Sequence, residues 1–435
     1  MIDEEALART ALLLRLDVFH SDPSDDPRIV AGLRASTARV VADQNNLMSY
    51  AGQTALVTLC GQLAMFGMHI DLDVADVALV RSQPPLTGDR IGQALSEYLA
   101  DLMPSGNSPS TRADVTFALG DTHVAGVHVR VAGNDGRVQV GNSSDCNIRW
   151  VGDDPVTAMA ASTTAAADGV RASVPRVAEH LGVSAQQSGS WSRELGREVA
   201  LDLRYLLPGE FQDLGDIDLI SGGAISNAAL FTLLRLQTVR AAVRVIEPDT
   251  FAASNLNRYA LGRRSHVNLA KVDVLESFGS EALAIVGVKH HLDDDTAAIL
   301  GPLSSRVLVG VDDIPSRWAA QRLASGLVVV GSTSHDYVVV SAHPVGGPCA
   351  GCTHPKNDDG IGDIPTISFV SFWAGMLQAL ELLRYARLPE TAASRSEIYP
   401  LSLDKPRGLY AYRQGAAPTC PVRCTSSATR SSLSH

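Results

Sequence analysis

The segment that constrains this chain most runs from Ile217 to Lys271. It opens on a short apolar strand, Ile217–Ser221, and enters the turn Ser221-Gly222-Gly223-Ala224-Ile225-Ser226. An amphipathic stretch follows, and a second apolar strand, Val243–Ile246, stops on an acid, Glu247. Strand, glycine turn, helix-period stretch and acid-terminated strand together make a βαβ nucleotide-binding unit, and the fold class is α/β.

What lies beyond Glu247 is more specific. Glu247-Pro248-Asp249-Thr250 is followed by Ser254-Asn255-Leu256-Asn257-Arg258, then by Lys271 with Asp273 just behind it. This string resembles the ThiF/MoeB group of the ubiquitin-activating enzyme superfamily, whose members adenylate the C-terminal carboxylate of a protein or peptide. The resemblance implies a Rossmann-like ThiF-type adenylation domain that uses ATP and Mg²⁺. A strand-end acid such as Glu247 can accept hydrogen bonds from ribose hydroxyls. Arg258 offers a planar fork to phosphate oxygens and Lys271 a compact point charge. Asn255 can donate to a phosphate oxygen, and the resemblance sets Gly222, Gly223 and Asp249 at the nucleotide as well. Asp312, at the carboxyl end of the strand RVLVGV, is expected to hold Mg²⁺. Asp312, Arg258 and Lys271 are therefore the expected catalytic residues. Asp313 takes the place of the family's Asn, and Arg317 matches the family's Arg a few residues on.

The turn departs from the family's Gly-x-Gly-x-x-Gly. Only Gly223 is in register, with Ser221 and Ser226 at the outer positions, and Tyr259 stands where Gln is usual. Altered ATP use, or none, is the alternative these departures raise. Taken singly, each polar residue has a plainer explanation, since strand-end acids cap helices and surface lysines are solvated. Their order along the chain carries the reading.

At 435 residues the chain has room for two or three domains. A net charge of −11 disfavours non-specific binding to nucleic acid or anionic membrane. Even the apolar run Thr54–Ile70 is interrupted by Gly61, Gln62 and Gly67, so no membrane span is expected. The acidic N-terminus MIDEEALART is unlike a signal peptide, which points to a cytoplasmic protein. Polar runs at Ser21–Pro27 and Pro104–Thr111 look like loops. The expected division is a degenerate Rossmann-like domain at 1–187, a linker at 188–209, the adenylation domain with its zinc site at 210–424 and a disordered tail at 425–435.

The two halves look like distant copies. Asp114–Asp121, Val127–Gly141 and the helical run Asp154–Arg171 occur in the same order as Arg306–Asp313, Leu327–Ser341 and Ile367–Tyr385. Upstream, Gln53–Phe66 stands where Asn227–Leu236 stands in the second half. The first half lacks the acid-Pro-Asp string, the Asn-x-Asn-Arg and the lysine. The superfamily often pairs an active domain with an inactive one, so an intrachain pseudo-dimer is implied beside the homodimer of single-copy relatives; an unrelated substrate-recognition domain is the simpler alternative.

Cys349-Ala-Gly-Cys352 and Cys420-Pro-Val-Arg-Cys424 supply the two close thiol pairs that a tetrahedral Zn²⁺ site takes from two loops. Cys60, on an apolar helical face, reads as core, and Cys146 lies outside the family's usual thioester position. No covalent carrier is expected. His290-His291 reads as a surface pair, and Trp318, Phe372 and Trp373 as core anchors. The function expected first is adenylation of a ubiquitin-like protein, a sulfur-carrier protein or a ribosomal precursor peptide. A non-catalytic scaffold of the same fold is the second reading. NAD-dependent oxidoreduction is a third, and it leaves the Asn-x-Asn-Arg string and the thiol pairs unexplained.

Overall fold

A computed structural model describes residues 2–102, 112–184, 191, 194–209, 211–356, 365–387, 397–402 and 411–424. The loop expected at Pro104–Thr111 and the tail at 425–435 lie outside the described residues.

The first half runs α1 (Ile2–Leu14), α2 (Asp26–Ala35), β1 (Thr37–Ala42), α3 (Gln44–Leu47), α4 (Tyr50–Met65), β2 (His69–Val74) and α5 (Ile91–Leu102). It continues with β3 (Val115–Leu119), β4 (Val129–Asn134), β5 (Arg137–Gly141), α6 (Pro155–Leu181) and β6 (Val199–Asp202). Its sheet has the order β2-β1-β3-β4-β5-β6. The first four strands are parallel and the last two are added antiparallel. β3 is buried along its whole length, as a strand covered on both faces must be. Asp154 caps α6 by accepting from the Val156 and Thr157 amides, with Pro155 in the first turn and Gly182 closing the helix at φ 72°.

The second half runs β7 (Gln212–Ile220), α7 (Ala224–Arg235), β8 (Val239–Ile246), α8 (Lys271–Glu276), β9 (Leu283–Val288), α9 (Ala297–Leu300) and β10 (Arg306–Val309). Then come α10 (Ile314–Leu323), β11 (Leu327–Ser334), β12 (Tyr337–His343), α11 (Ala350–Thr353), α12 (Ser368–Arg387), β13 (Glu397–Ser402) and β14 (Tyr412–Arg413). Its sheet has the order β14-β13-β12-β11-β10-β7-β8-β9. Strands β9, β8, β7, β10 and β11 are parallel, and β12 to β14 are antiparallel.

Set side by side, β2-β1-β3-β4-β5-β6 and β8-β7-β10-β11-β12-β13 share strand order and strand sense. Helix α4 sits in sequence where α7 does, and α6 where α12 does, so the segments matched by sequence occupy matched places. β9 and β14 have no counterpart in the first sheet.

Two expectations change. The run 188–209 is more than a linker, because Val199–Asp202 is the edge strand β6 of the first sheet, paired with β5. Its alternating burial is that of a half-covered edge. Within Ser21–Pro27, Asp22 caps a short helical turn at Pro23–Asp25, and α2 begins at Asp26.

The halves meet along their helices. α6 packs on α4 and against α12, and α12 packs on α7. One apolar core runs through both halves. Polar ties cross the seam: the Ser368 hydroxyl donates to the Gln62 carbonyl at 3.0 Å, and Arg235 donates to the Pro84 carbonyl at 2.6 Å. Helix α1 lies against residues 253–255 of the second half, where the Asn257 amide donates to Thr10 Oγ1 at 3.4 Å. No helix among the described residues is long and apolar enough to cross a membrane.

Candidate functional site

A cleft of about 680 Å³ opens at the carboxyl ends of β7, β8 and β10. β7 is the strand from which the chain runs outward to β8 on one side and to β10 on the other, and that topological switch is where open α/β sheets form ligand crevices. Ser221, Gly223, Glu247, Asp249, Arg258, Lys271 and Asp312 all line it.

Glu247 is the keystone of the near wall. It is buried, and its Oε2 accepts from the Gly222 amide at 2.7 Å while Oε1 accepts from the Asp249 amide at 3.0 Å. Lys271 Nζ stands 3.4 Å from Oε2 and 2.9 Å from Asp249 Oδ2. Burial pulls the Lys271 ammonium down, but Tyr259, Glu247 and Asp249 together hold it above the ordinary lysine range. The acid thus fastens the glycine turn to the segment after β8, a backbone-bracing task that the sequence reading did not give it.

The turn itself is under local strain. Ser221 has φ 89°, a region that glycine enters freely and side chains rarely do. Its Oγ accepts from the Gly223 amide at 2.9 Å and donates to Glu247 Oε2 at 3.4 Å. A Cβ at Gly222 would stand 3.1 Å from Glu247 Cγ and 3.2 Å from Lys271 Cβ, so that position favours glycine through close approach.

Gly222 and Asn255 stand behind the other expected residues. Neither lines the cleft; the Gly222 amide is spent on Glu247, and Asn255 Oδ1 accepts from the Ala252 amide at 2.9 Å, closing the helical turn Ala253–Asn255. Arg258 does line the cleft, and its Nη1 donates to the Ser254 carbonyl and to Asn257 Oδ1, each at 2.6 Å.

On the far wall Asp312 is exposed, while Asp313 caps α10 by accepting from the Ser316 amide at 2.7 Å. Arg317 is buried and donates to the Val311 carbonyl through Nη2 at 2.9 Å. Its Nη1 lies 3.0 Å from His354 Nε2.

Arg9, His290 and His291 are among the lining residues that were not expected at the site. Arg9 comes from α1, in the other half of the chain, and only tertiary packing brings it here. His290 and His291, set aside as a surface pair, follow β9 into the cleft mouth. Their place at the end of a parallel strand was the available signal.

The four cysteines converge. Cys349 and Cys420 Sγ are 3.3 Å apart, Cys352 and Cys424 3.3 Å, Cys420 and Cys424 3.7 Å, and Cys349 and Cys352 4.0 Å. Tetrahedral thiolates about 2.3 Å from Zn²⁺ lie about 3.8 Å from one another, so these separations suit one metal ion. They are too long for disulfides. Burial pushes the Cys349 thiol up, a cost that a bound dication would offset.

No protein-family model and no curated protein matches this chain. Solved structures to which it is similar include E. coli MccB with MccA, at 14% sequence identity and a TM-score of 0.40 over 68% of this chain and 98% of that one. E. coli MccB with ATP matches at 14% identity and 0.39, over 68% of this chain and 97% of that one.

Proposed function

We propose that the chain is an ATP-dependent adenylating enzyme acting on the C-terminal carboxylate of a ubiquitin-like protein, a sulfur-carrier protein or a ribosomal precursor peptide. One observation carries the reading: Glu247, Arg258, Lys271 and Asp312, singled out in sequence, line a single cleft at the sheet's switch point. Arg258 and Lys271, with Arg9 entering from α1, put positive charge where triphosphate oxygens would lie. Asp312 is the residue to hold Mg²⁺, which would neutralise charge on the departing pyrophosphate. A carboxylate oxygen of the substrate attacks the α-phosphorus in line and the bond to the bridging oxygen breaks. Acyl-adenylate and pyrophosphate result.

Cys60 and Cys146 are both buried and burial raises both thiols, which favours direct transfer from the adenylate over a thioester carrier. Cys349, Cys352, Cys420 and Cys424 are assigned a structural Zn²⁺. The shared strand order supports reading the first half, extended through β6, as a degenerate copy of the second, so that one chain supplies an intrachain pseudo-dimer.

A second reading, a non-catalytic scaffold that binds a peptide or partner enzyme, is favoured by one feature: the Ser221 hydroxyl occupies the Gly223 amide that a phosphate would use. Pyrophosphate exchange into ATP, measured with candidate carboxylate substrates, separates the two. Exchange in wild type that disappears in Asp312→Ala supports adenylation; a demonstrated partner with neither ATP binding nor exchange leaves the scaffold.

A further inference from the structure

The cleft's far wall and the four-cysteine cluster are joined through one short turn. Helix α11 carries Cys352, follows Cys349 and ends at His354. Three residues on one face of α10 meet this turn. Arg317 Nη1 lies 3.0 Å from His354 Nε2, Trp318 Nε1 donates to the His354 carbonyl at 3.0 Å, and Gln321 Oε1 accepts from the Ala350 amide at 3.1 Å. Positions 317, 318 and 321 fall on one side of a helix, so the turn grips α10 along its length.

The grip reaches the cleft. Arg317 donates through Nε and Nη2 to the Val311 carbonyl, at 3.3 and 2.9 Å. Val311 and Asp312 line the cleft, as does Arg317. A guanidinium has only donors, so the imidazole nitrogen facing it must accept. His354 therefore holds Arg317 in the orientation that clamps Val311 and fixes the backbone from which Asp312 projects.

We propose that His354 is a positioning residue that ties the four-cysteine turn to Arg317 and, through the Val311 carbonyl, to Asp312. The thiolate cluster is then part of the cleft's architecture rather than a remote staple. This rests on the adenylation reading for its effect on ATP, while the mechanical link stands apart from it.

The test uses the full chain as His354→Ala and His354→Gln, the latter keeping an acceptor for Arg317. Hydrogen–deuterium exchange in the segment 311–317 is read without nucleotide. Exchange should rise in His354→Ala and return toward wild type in His354→Gln, and brief chelation of the wild type should raise it in the same segment. Unchanged exchange in His354→Ala, or failure of His354→Gln to restore it, overturns the positioning role. A chelation effect confined to 349–354 and 420–424 overturns the coupling to the cysteines. ATP affinity is the second readout: loss of a hydrogen bond to a charged group should raise Kd roughly 10-fold in His354→Ala, and His354→Gln should recover most of it. Raised exchange together with a wild type that never binds ATP leaves the link standing and removes the adenylation reading alone.

Discussion

Ser221→Gly tests whether the glycine turn is a phosphate cradle with one amide already taken. At φ 89° the serine sits in a conformation that costs a side-chain-bearing residue about 1 to 2 kcal/mol, which glycine would release. Against that, the 2.9 Å bond from the Gly223 amide to Ser221 Oγ contributes about 1 kcal/mol. The added freedom of a glycine in the unfolded chain removes roughly another 0.5 to 1 kcal/mol. The terms nearly cancel, so thermal unfolding should shift by no more than about 3 °C. Ser221→Ala keeps the strain and loses the bond, and should lower Tm by about 2 to 4 °C. Affinity should separate from stability. Both variants free the Gly223 amide, and a hydrogen bond from it to an ionised phosphate should lower the Kd for ATP about 10-fold or more. Titration calorimetry with ATP and Mg²⁺ beside scanning fluorimetry gives both numbers. Equal Kd values in wild type and both variants would refute the cradle; tightening in Ser221→Gly alone would mean that backbone strain, and not the hydroxyl, governs binding.

Replacing Asp312, Lys271 or Arg258 by Ala should each reduce pyrophosphate exchange roughly 100-fold or more, the usual consequence of removing one group that stabilises charge developing in a transition state; variants within about 3-fold of wild type would deny them a catalytic role. Glu247→Ala should act on the fold first, because it orphans the Gly222 and Asp249 amides beside a buried lysine, and a loss of about 3 kcal/mol is expected by urea unfolding. His343 is fully buried and burial pushes its pKa down to about 4 from 6.5, so the unfolded chain binds the proton that the folded chain refuses. Stability is therefore complete above pH 6.5 and falls by roughly 1.4 kcal/mol per pH unit toward pH 4, a slope that His343→Gln should flatten. Elemental analysis should find about one Zn²⁺ per chain, and a Cys349→Ser protein holding as much metal as wild type would move the site elsewhere.

The Glu247 side of the cleft was legible because its signals are local. The glycine turn and the strand-end acid lie within one βαβ unit, and the lysine opens the next helix, α8. The cysteine pairs were legible for the same reason, as spacing within a loop. What the sequence hid depends on packing. Arg9 enters the cleft only because α1 lies against residues 253–255, and nothing near Arg9 in the chain announces that contact. β1 was missed because Thr37 and Arg39 interrupt a six-residue run that is nonetheless largely buried. The turn-closing bond of Asn255, whose Oδ1 accepts from the Ala252 amide, depends on a local backbone geometry that spacing alone does not give. Glu247 stands just past the end of β8, but its two backbone partners belong to segments on either side of it and are visible only once folded.

The matched sheets differ in what fills the space beyond their strand ends. After β7 the chain crosses to α7 through two glycines, Gly222 and Gly223, and leaves open space above the strand ends. After β1 the corresponding crossing is the helical turn α3, capped by Asp43, and it pushes Asn46 into the space. Asn46 donates to Asp121 at 2.9 Å and to Thr122 at 3.1 Å, and accepts from the Trp150 amide at 2.9 Å. It lies so close to Gly120 that a Cβ there would fall within 2.1 Å of its Oδ1. Asp121, just past the end of β3 as Asp312 is just past the end of β10, is held by Arg149 and Asn46. A nucleotide at that end of the first sheet would have to displace a fully buried, hydrogen-bonded asparagine and break an ion pair, each opposing binding. The first half therefore contributes a packing surface and helix α1 with Arg9, while the cleft lies at the strand ends of the second sheet.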